Sequence, residues 1–403
     1  MVLGPTALSM PVTAIVAKQP VKSDIPKTLD DVHIEGGFPK YNLCSILYIY
    51  GLFVMVSFIL SVGFYQIISA ELHGSGASLR SIPAVDNVFV AFGTTSESSE
   101  LLKVILAAQV WRNLGVRSIV SLVGDSELFH EGPNKMLVNV LTQIEATVTY
   151  VEANDVHDEN MAKLMPFYVI AYSGNDTLAQ NLYEDTVIIV ADTDYIPMDL
   201  ASHLPAIEKG IEIKIYDNNC CDVLNLGEIQ LHKYSMNTVA MTLNKWQRVF
   251  NLSRQMSTSE IEAGIVENYG DFIVLGAKQQ AFYVRELAFA MKFNQFKNGD
   301  KNSLYSIDIH DHKDIHRLNV KPIKDFGSRL LKTMPLTAYN DIIYDNNVHE
   351  QSVWNTASSL LARFYTREQF EYLIEVRDRV ISWQLDERQR QWVLWMNLYN
   401  PSY

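Results

Sequence analysis

Two carboxylates one residue apart close the apolar run "IIVADTDYIPM" at 188–198. If the tripeptide at 192–194 stays extended, residues i and i+2 share a face, and Asp192 and Asp194 converge on one point. A carboxylate pair with open coordination positions suits Mg²⁺ or Mn²⁺ that must also hold substrate phosphates. A metal in that position neutralises a diphosphate and assists its departure as a leaving group. Thr193 then faces the other way, toward packing. Aspartate is also a common turn former after a strand, so the surrounding elements decide between chemistry and punctuation. A second cluster is "HDHKDIH", where His310, His312 and His316 have spacings that a zinc site can use. With no cysteines and no helical pattern around it, that stretch reads as a solvated loop.

The elements that position the aspartates follow an alternating rhythm. "VFVAFG" (88–93) reads as a buried strand, and "SSELLKVILAAQVWRNLG" as a helix ending at Gly115. "SIVSLVGD", "TVTYVEA" and "TVIIVADTD" are further strands, separated by the helical "NKMLVNVLTQI" and "NMAKLMPFYVIAYS". Strands joined by helices predict an α/β fold, a mostly parallel sheet covered on both faces. Asp192 and Asp194 then stand at the carboxyl end of an inner strand, where open α/β sheets bind ligands. Beyond Leu200 the pattern loosens, with "AFYVRELAFAMKFNQF" helical and a last helix beginning at Thr366, where T-x-x-Q offers a capping box with Gln369. Its Phe370, Leu373, Val380, Ile381, Trp392 and Trp395 are expected to pack against the sheet domain, with membrane-surface contact as the weaker alternative.

The 403 residues are 48% hydrophobic and 20% charged, a composition that buries a sizeable core. A net charge of -13 without a basic stripe argues against a nucleic-acid partner. Between 41 and 70 there is no Asp, Glu, Lys or Arg, and roughly 20 apolar residues suffice to cross a bilayer as a helix. This segment is expected to be a transmembrane signal-anchor. Lys18, Lys22, Lys27 and Lys40 precede it and only Arg80 lies close behind, so the positive-inside rule places the N-terminus in the cytoplasm. The expected order is a cytoplasmic tail (1–40), the span (41–70), a stem (71–86) and a lumenal domain (87–403). The sequons at Asn175 and Asn251 agree with a lumenal glycoprotein. Cys44 falls in the span, and adjacent Cys220 and Cys221 rarely bond to each other; they read as two small buried side chains, an intermolecular bridge being the alternative.

A strand ending in D-x-D inside a lumenal α/β domain, behind one anchor and a short stem, resembles the Golgi type II glycosyltransferases of the GT-A superfamily. The likeness covers about 87–370, with "ADTDYIPM" as its one specific motif. It implies a Rossmann-type GT-A domain in the Golgi or ER membrane, a nucleotide-sugar donor, uridine-diphosphate-linked, bound over the first strands, and Mn²⁺ or Mg²⁺ between motif and diphosphate. The acceptor is a glycan, protein or lipid. Carried over residue by residue, Asp192 contacts the donor ribose or a metal-bound water and Asp194 the metal. Thr94, Thr95 and Ser96 of "FGTTSES" lie where the nucleobase and ribose are held. His349 is the candidate third metal ligand, and Glu286 in "FYVRELAF" the candidate base of an inverting transfer, with a salt-bridged Glu beside Arg285 as its structural alternative. A retaining transfer needs no such base.

Two other readings compete. A membrane-anchored glycan-binding protein or pseudoenzyme could keep the fold without turnover. Haloacid-dehalogenase-like phosphatases also place D-x-D after an apolar strand, but on the first strand of the domain and followed by Thr or Val where Ile196 stands here.

Overall fold

The computed structural model describes residues 87–172, 182–216, 223–226, 229–253, 255–273, 284–299, 301–310, 315–320, 331, 333–345 and 347–399. All fall within one compact unit, 69–403. The expected tail, span and stem, together with Asn175, Cys44, Cys220, Cys221 and His312, lie outside the described residues. Among the described residues no helix is long and apolar enough to cross a membrane.

The chain begins with the predicted alternation: β1 (Val88–Thr95), α1 (Ser98–Asn113), β2 (Arg117–Val123), α2 (Gly132–Gln143), β3 (Thr147–Val151), α3 (Asp158–Tyr168) and β4 (Val187–Ala191). Then follow β5 (Tyr195–Pro197), β6 (Ile213–Tyr216), the hairpin β7 (Val223–Leu226) and β8 (Ile229–His232), and β9 (Thr238–Thr242). The remainder is α4 (Leu243–Phe250), α5 (Thr258–Ile273), α6 (Val284–Gly299), β10 (Ile307–Ile309), β11 (Arg317–Asn319), β12 (Asp341–Ile343), α7 (Gln351–Leu361) and α8 (Arg367–Tyr399).

Seven strands form the main sheet in the order β10-β6-β9-β4-β1-β2-β3. It is mostly parallel: β1 runs with β2 and β4, β2 with β3, and β6 with β10, whereas β9 opposes both β4 and β6. From β1 the chain adds β2 and β3 on one side and only then places β4 on the other, so the strand order reverses at the β1/β4 boundary. A crevice opens at the carboxyl ends of strands at such a reversal.

Both faces of the sheet are buried, which explains the continuous apolar runs of β1 and β4. Val88, Val90, Phe92, Val187 and Ile189 enter one core with α1, α2 and the first part of α8. Phe89, Ala91, Ile188 and Val190 enter the other, with α3, α4 and α6. There Trp246 donates its indole N–H to the Ile188 carbonyl at 2.9 Å amid stacked Phe167, Phe250 and Phe289. The α8 capping box forms as expected: Gln369 N–H donates to Thr366 Oγ1 at 3.2 Å, and Thr366 N–H to Gln369 Oε1 at 3.0 Å. Leu373, Val376 and Val380 are buried, but Trp383 and Leu385 further along are exposed; the side chains of Trp392 and Trp395 lie outside the described residues.

One local expectation is corrected. The motif does not remain extended: β4 ends at Ala191, and residues 192–194 form the turn into β5. The cause is β12, which pairs antiparallel with β5 in a small second sheet and draws the chain out of the main one. Tyr344, just past β12, fixes the turn by donating its N–H to the Asp194 carbonyl at 3.0 Å and its hydroxyl to the Thr193 carbonyl at 3.1 Å.

Candidate functional site

A cleft of about 320 Å³ opens where β1 and β4 end. Its β1 wall holds Gly93, Thr94 and Thr95, and its β4 wall Asp192 and Thr193. Thr193 therefore lines the cleft rather than facing away into packing. The third wall is one face of α3: Glu159, Ala162, Lys163 and Pro166 all line it, at the i, i+3, i+4, i+7 spacing that one helix face dictates. Gly93 permits this closure. A Cβ on Gly93 would lie 2.0 Å from the Ala162 carbonyl oxygen and 3.2 Å from Pro166 Cδ. Pro166 lies within α3 and has no N–H to give the Ala162 carbonyl four residues earlier, so that oxygen projects against β1.

On the opposite side, Arg285 in the first turn of α6 forms an ion pair with Asp192 through Nη2 and Oδ1. Burial opposes the guanidinium charge, but Asp192, Glu286 and Asp194 together outweigh it, and the pKa of Arg285 is raised. The arginine thus experiences both motif carboxylates. Tyr344 borders the same pair, its hydroxyl pKa pushed up first by burial and then by the charge of Asp194.

The ground under the motif is a closed ionic cluster. Asp341 on β12 is fully buried and accepts Arg317 Nε and Nη2, each at 2.7 Å, and the Tyr195 hydroxyl at 2.8 Å. Because Tyr195 directly follows Asp194, this cluster anchors the outgoing side of the turn. His203 packs edge-on to Tyr195 and shares its Nδ1 with Thr238 Oγ1 at 2.8 Å. Burial, reinforced by Lys214, Arg317 and His310, lowers its pKa to about 3.

Of the sequence-derived candidates, Thr94, Thr95 and Asp192 line one cleft, and Asp194 is close enough to raise Arg285. Ser96 turns its carbonyl to Asn134 Nδ2 at 2.7 Å and does not line the cleft. Glu286 stands in the first turn of α6, also outside the lining; the neighbouring Arg285 forms its ion pair with Asp192, while the charge of Glu286 helps to raise that arginine. His349 lies within electrostatic reach of Lys103, Glu100, Glu97 and Arg377, and Glu97 and Glu100 line the cleft. Its pKa is lowered, chiefly by burial, and its Nδ1 is buried without a hydrogen-bond partner. His310 stacks on Tyr216 with centroids 5.4 Å apart, and His316 contacts the Ala338 carbonyl at 2.7 Å. Asn251 is exposed in a left-handed conformation after α4.

Sequence reasoning missed Arg285 and Lys163 as cleft residues. The spacing of Glu159, Ala162, Lys163 and Pro166 was a usable signal for Lys163. For Arg285 there was none, because its partner lies 93 residues away.

Among the described residues no group of three or more His, Cys, Asp or Glu can hold a metal ion. The motif pair nonetheless already faces a cation, Arg285. Two carboxylates completed by ligand phosphates and water are a fitting donor set for Mg²⁺ or Mn²⁺, so the residues suit a metal shared with a bound diphosphate better than an all-protein cage. No family model matches the chain, and no curated protein matches it. Fold and site therefore define a class: an α/β protein with a cleft at the sheet's switch point, walled by β1, β4, α3 and the start of α1, with Asp192 in its lining and Asp194 close behind.

Proposed function

We propose that the protein is a metal-assisted glycosyltransferase of the GT-A kind, transferring a sugar from a nucleotide-sugar donor to a glycan, protein or lipid acceptor. The observation that carries this reading is the convergence of Asp192, Arg285, Lys163, Thr94 and Thr95 on one cleft at the β1/β4 boundary. Thr94 and Thr95 would contact the nucleoside, while Lys163 and Arg285 would supply cations for the diphosphate. Asp192 and Asp194 would hold Mn²⁺ or Mg²⁺, which stabilises the charge on the departing phosphate.

In the transfer, an acceptor hydroxyl oxygen bonds to the anomeric carbon, and the bond from that carbon to the phosphate oxygen breaks. The nucleoside diphosphate leaves with the electron pair, and the acceptor proton passes to a base. If the outcome is inversion, the base would be a carboxylate brought to the acceptor hydroxyl, and Glu286, next to Arg285 but outside the cleft lining, is the one proposed from the sequence. The membrane span at 41–70 and the Golgi or ER placement of the C-terminal domain remain part of this proposal on sequence grounds.

Donor hydrolysis across a panel of nucleotide sugars tests it. Release of nucleoside diphosphate from one donor, supported by Mn²⁺ and abolished by chelator, is the expected result. Absence of both turnover and binding for every donor would leave the glycan-binding reading in its place.

A further inference from the structure

The two Asp–Arg pairs near the motif differ in how tightly they are tied. Arg317 grips Asp341 with two nitrogens, and that carboxylate is fully buried. Arg285 touches Asp192 with one nitrogen; its other terminal nitrogen is only marginally placed, 3.5 Å from the Ala191 carbonyl. The side chain of Asp192 is 31% exposed and that of Arg285 17%, and both open onto the cleft. A single-point contact at the edge of solvent is exchangeable in a way that a buried fork is not.

Arg285 also stands where it conflicts with the metal that the proposed function requires. The guanidinium occupies Asp192 and lies within electrostatic reach of Asp194. A divalent ion on these carboxylates brings two positive charges against a third that has no means of losing its proton. The conflict is relieved if the arginine leaves Asp192, and a diphosphate bound in the cleft gives it an anion beyond Glu286, which already acts on it.

We propose that Arg285 is an exchangeable counter-ion for the motif: it neutralises Asp192 in the resting protein, competes there with the divalent metal, and transfers to the donor diphosphate when metal and nucleotide bind together. The proposal rests on the glycosyltransferase reading and makes Arg285 a positioning residue that couples metal binding to donor binding. Metal alone binds weakly because it must displace the arginine. Metal with a nucleoside diphosphate binds well because the displaced arginine gains a partner, so the two ligands are cooperative.

The test is Mn²⁺ titration of the full-length protein, followed by loss of the free-ion paramagnetic signal, first alone and then with uridine diphosphate. Arg285→Ala is expected to bind Mn²⁺ alone at least tenfold more tightly than wild type. At saturating Mn²⁺ it should bind uridine diphosphate at least tenfold more weakly. Arg285→Lys, which keeps the charge without the planar fork, should fall between, and near-ultraviolet circular dichroism confirms that each variant is folded. Unchanged or weakened Mn²⁺ binding in folded Arg285→Ala overturns the exchange but leaves the transferase reading standing. Saturable Mn²⁺ binding in neither wild type nor Arg285→Ala, with Asp194→Asn indistinguishable from both, overturns the exchange and the metal site together.

Discussion

Asp341 and Asp192 sit at the two ends of the same short stretch of structure, each facing an arginine, yet one is sealed and the other open. Asp341 has three donors and no exposure. Asp192 has one arginine contact and a third of its side chain in solvent. The sealed pair holds β5 and thereby the shape of the turn, whereas the open pair presents its charges to the cleft. Shared chemistry in different degrees of closure divides the labour: stability resides in the second sheet and ligand exchange at the rim of the first.

Replacement of the two acids separates these roles. Asp341→Ala removes a fully buried carboxylate that accepts three hydrogen bonds from Arg317 and Tyr195 and should cost about 3–5 kcal/mol of unfolding free energy. Asp192→Asn removes a partly solvated single contact and should cost under about 1 kcal/mol. Denaturant unfolding of both variants measures the gap, and equal losses would erase the distinction.

Acidification probes the sealed region from another side. His203 is neutral in the folded protein, with its pKa lowered to about 3, while in the unfolded chain it takes a proton near 6.5. The unfolded state therefore binds the extra proton as pH falls below about 6.5, and stability declines from there toward pH 3. One group at about 1.4 kcal/mol per unit gives a loss of roughly 3 kcal/mol by pH 4. A His203→Gln variant should show a shallower decline over that window; parallel profiles would assign the acid sensitivity elsewhere.

A smaller effect is expected on the cleft's own wall. Gly93→Ala drives a methyl group against the Ala162 carbonyl and should cost about 1–3 kcal/mol through overpacking, read by thermal unfolding. Because α3 must back away, Lys163 is displaced as well, so nucleotide binding should weaken along with stability.

Much of the first region was legible from local pattern. Strands β1 and β4 appeared as apolar runs because both faces of the sheet are covered, and α8 announced its start through Thr366 and Gln369. The acid pair could be placed at the end of an inner strand on the same grounds. Its conformation could not, because the turn at 192–194 is imposed by β12 and Tyr344, about 150 residues downstream. Local periodicity carries no information on such a pairing. The Arg285 contact was hidden for the same reason; Glu286 was chosen as a carboxylate at a helical position in "FYVRELAF", with the neighbouring arginine only as its structural alternative. His349 was chosen by its place late in the chain; the fold brings it within electrostatic reach of Glu97 and Glu100, which line the same cleft from the α1 side.

Thermal unfolding with uridine or guanosine diphosphate, in Mn²⁺ and in chelator, tests the central claim that the β1/β4 cleft is a metal-diphosphate site. Ligand at a hundred times its Kd stabilises the folded state by about 2.7 kcal/mol, a shift well within measurement. The account predicts a rise in Tm for wild type in Mn²⁺ with one of the two nucleotides, and no rise in chelator or in Asp194→Ala. Stabilisation that survives chelator and Asp194→Ala unchanged would contradict it.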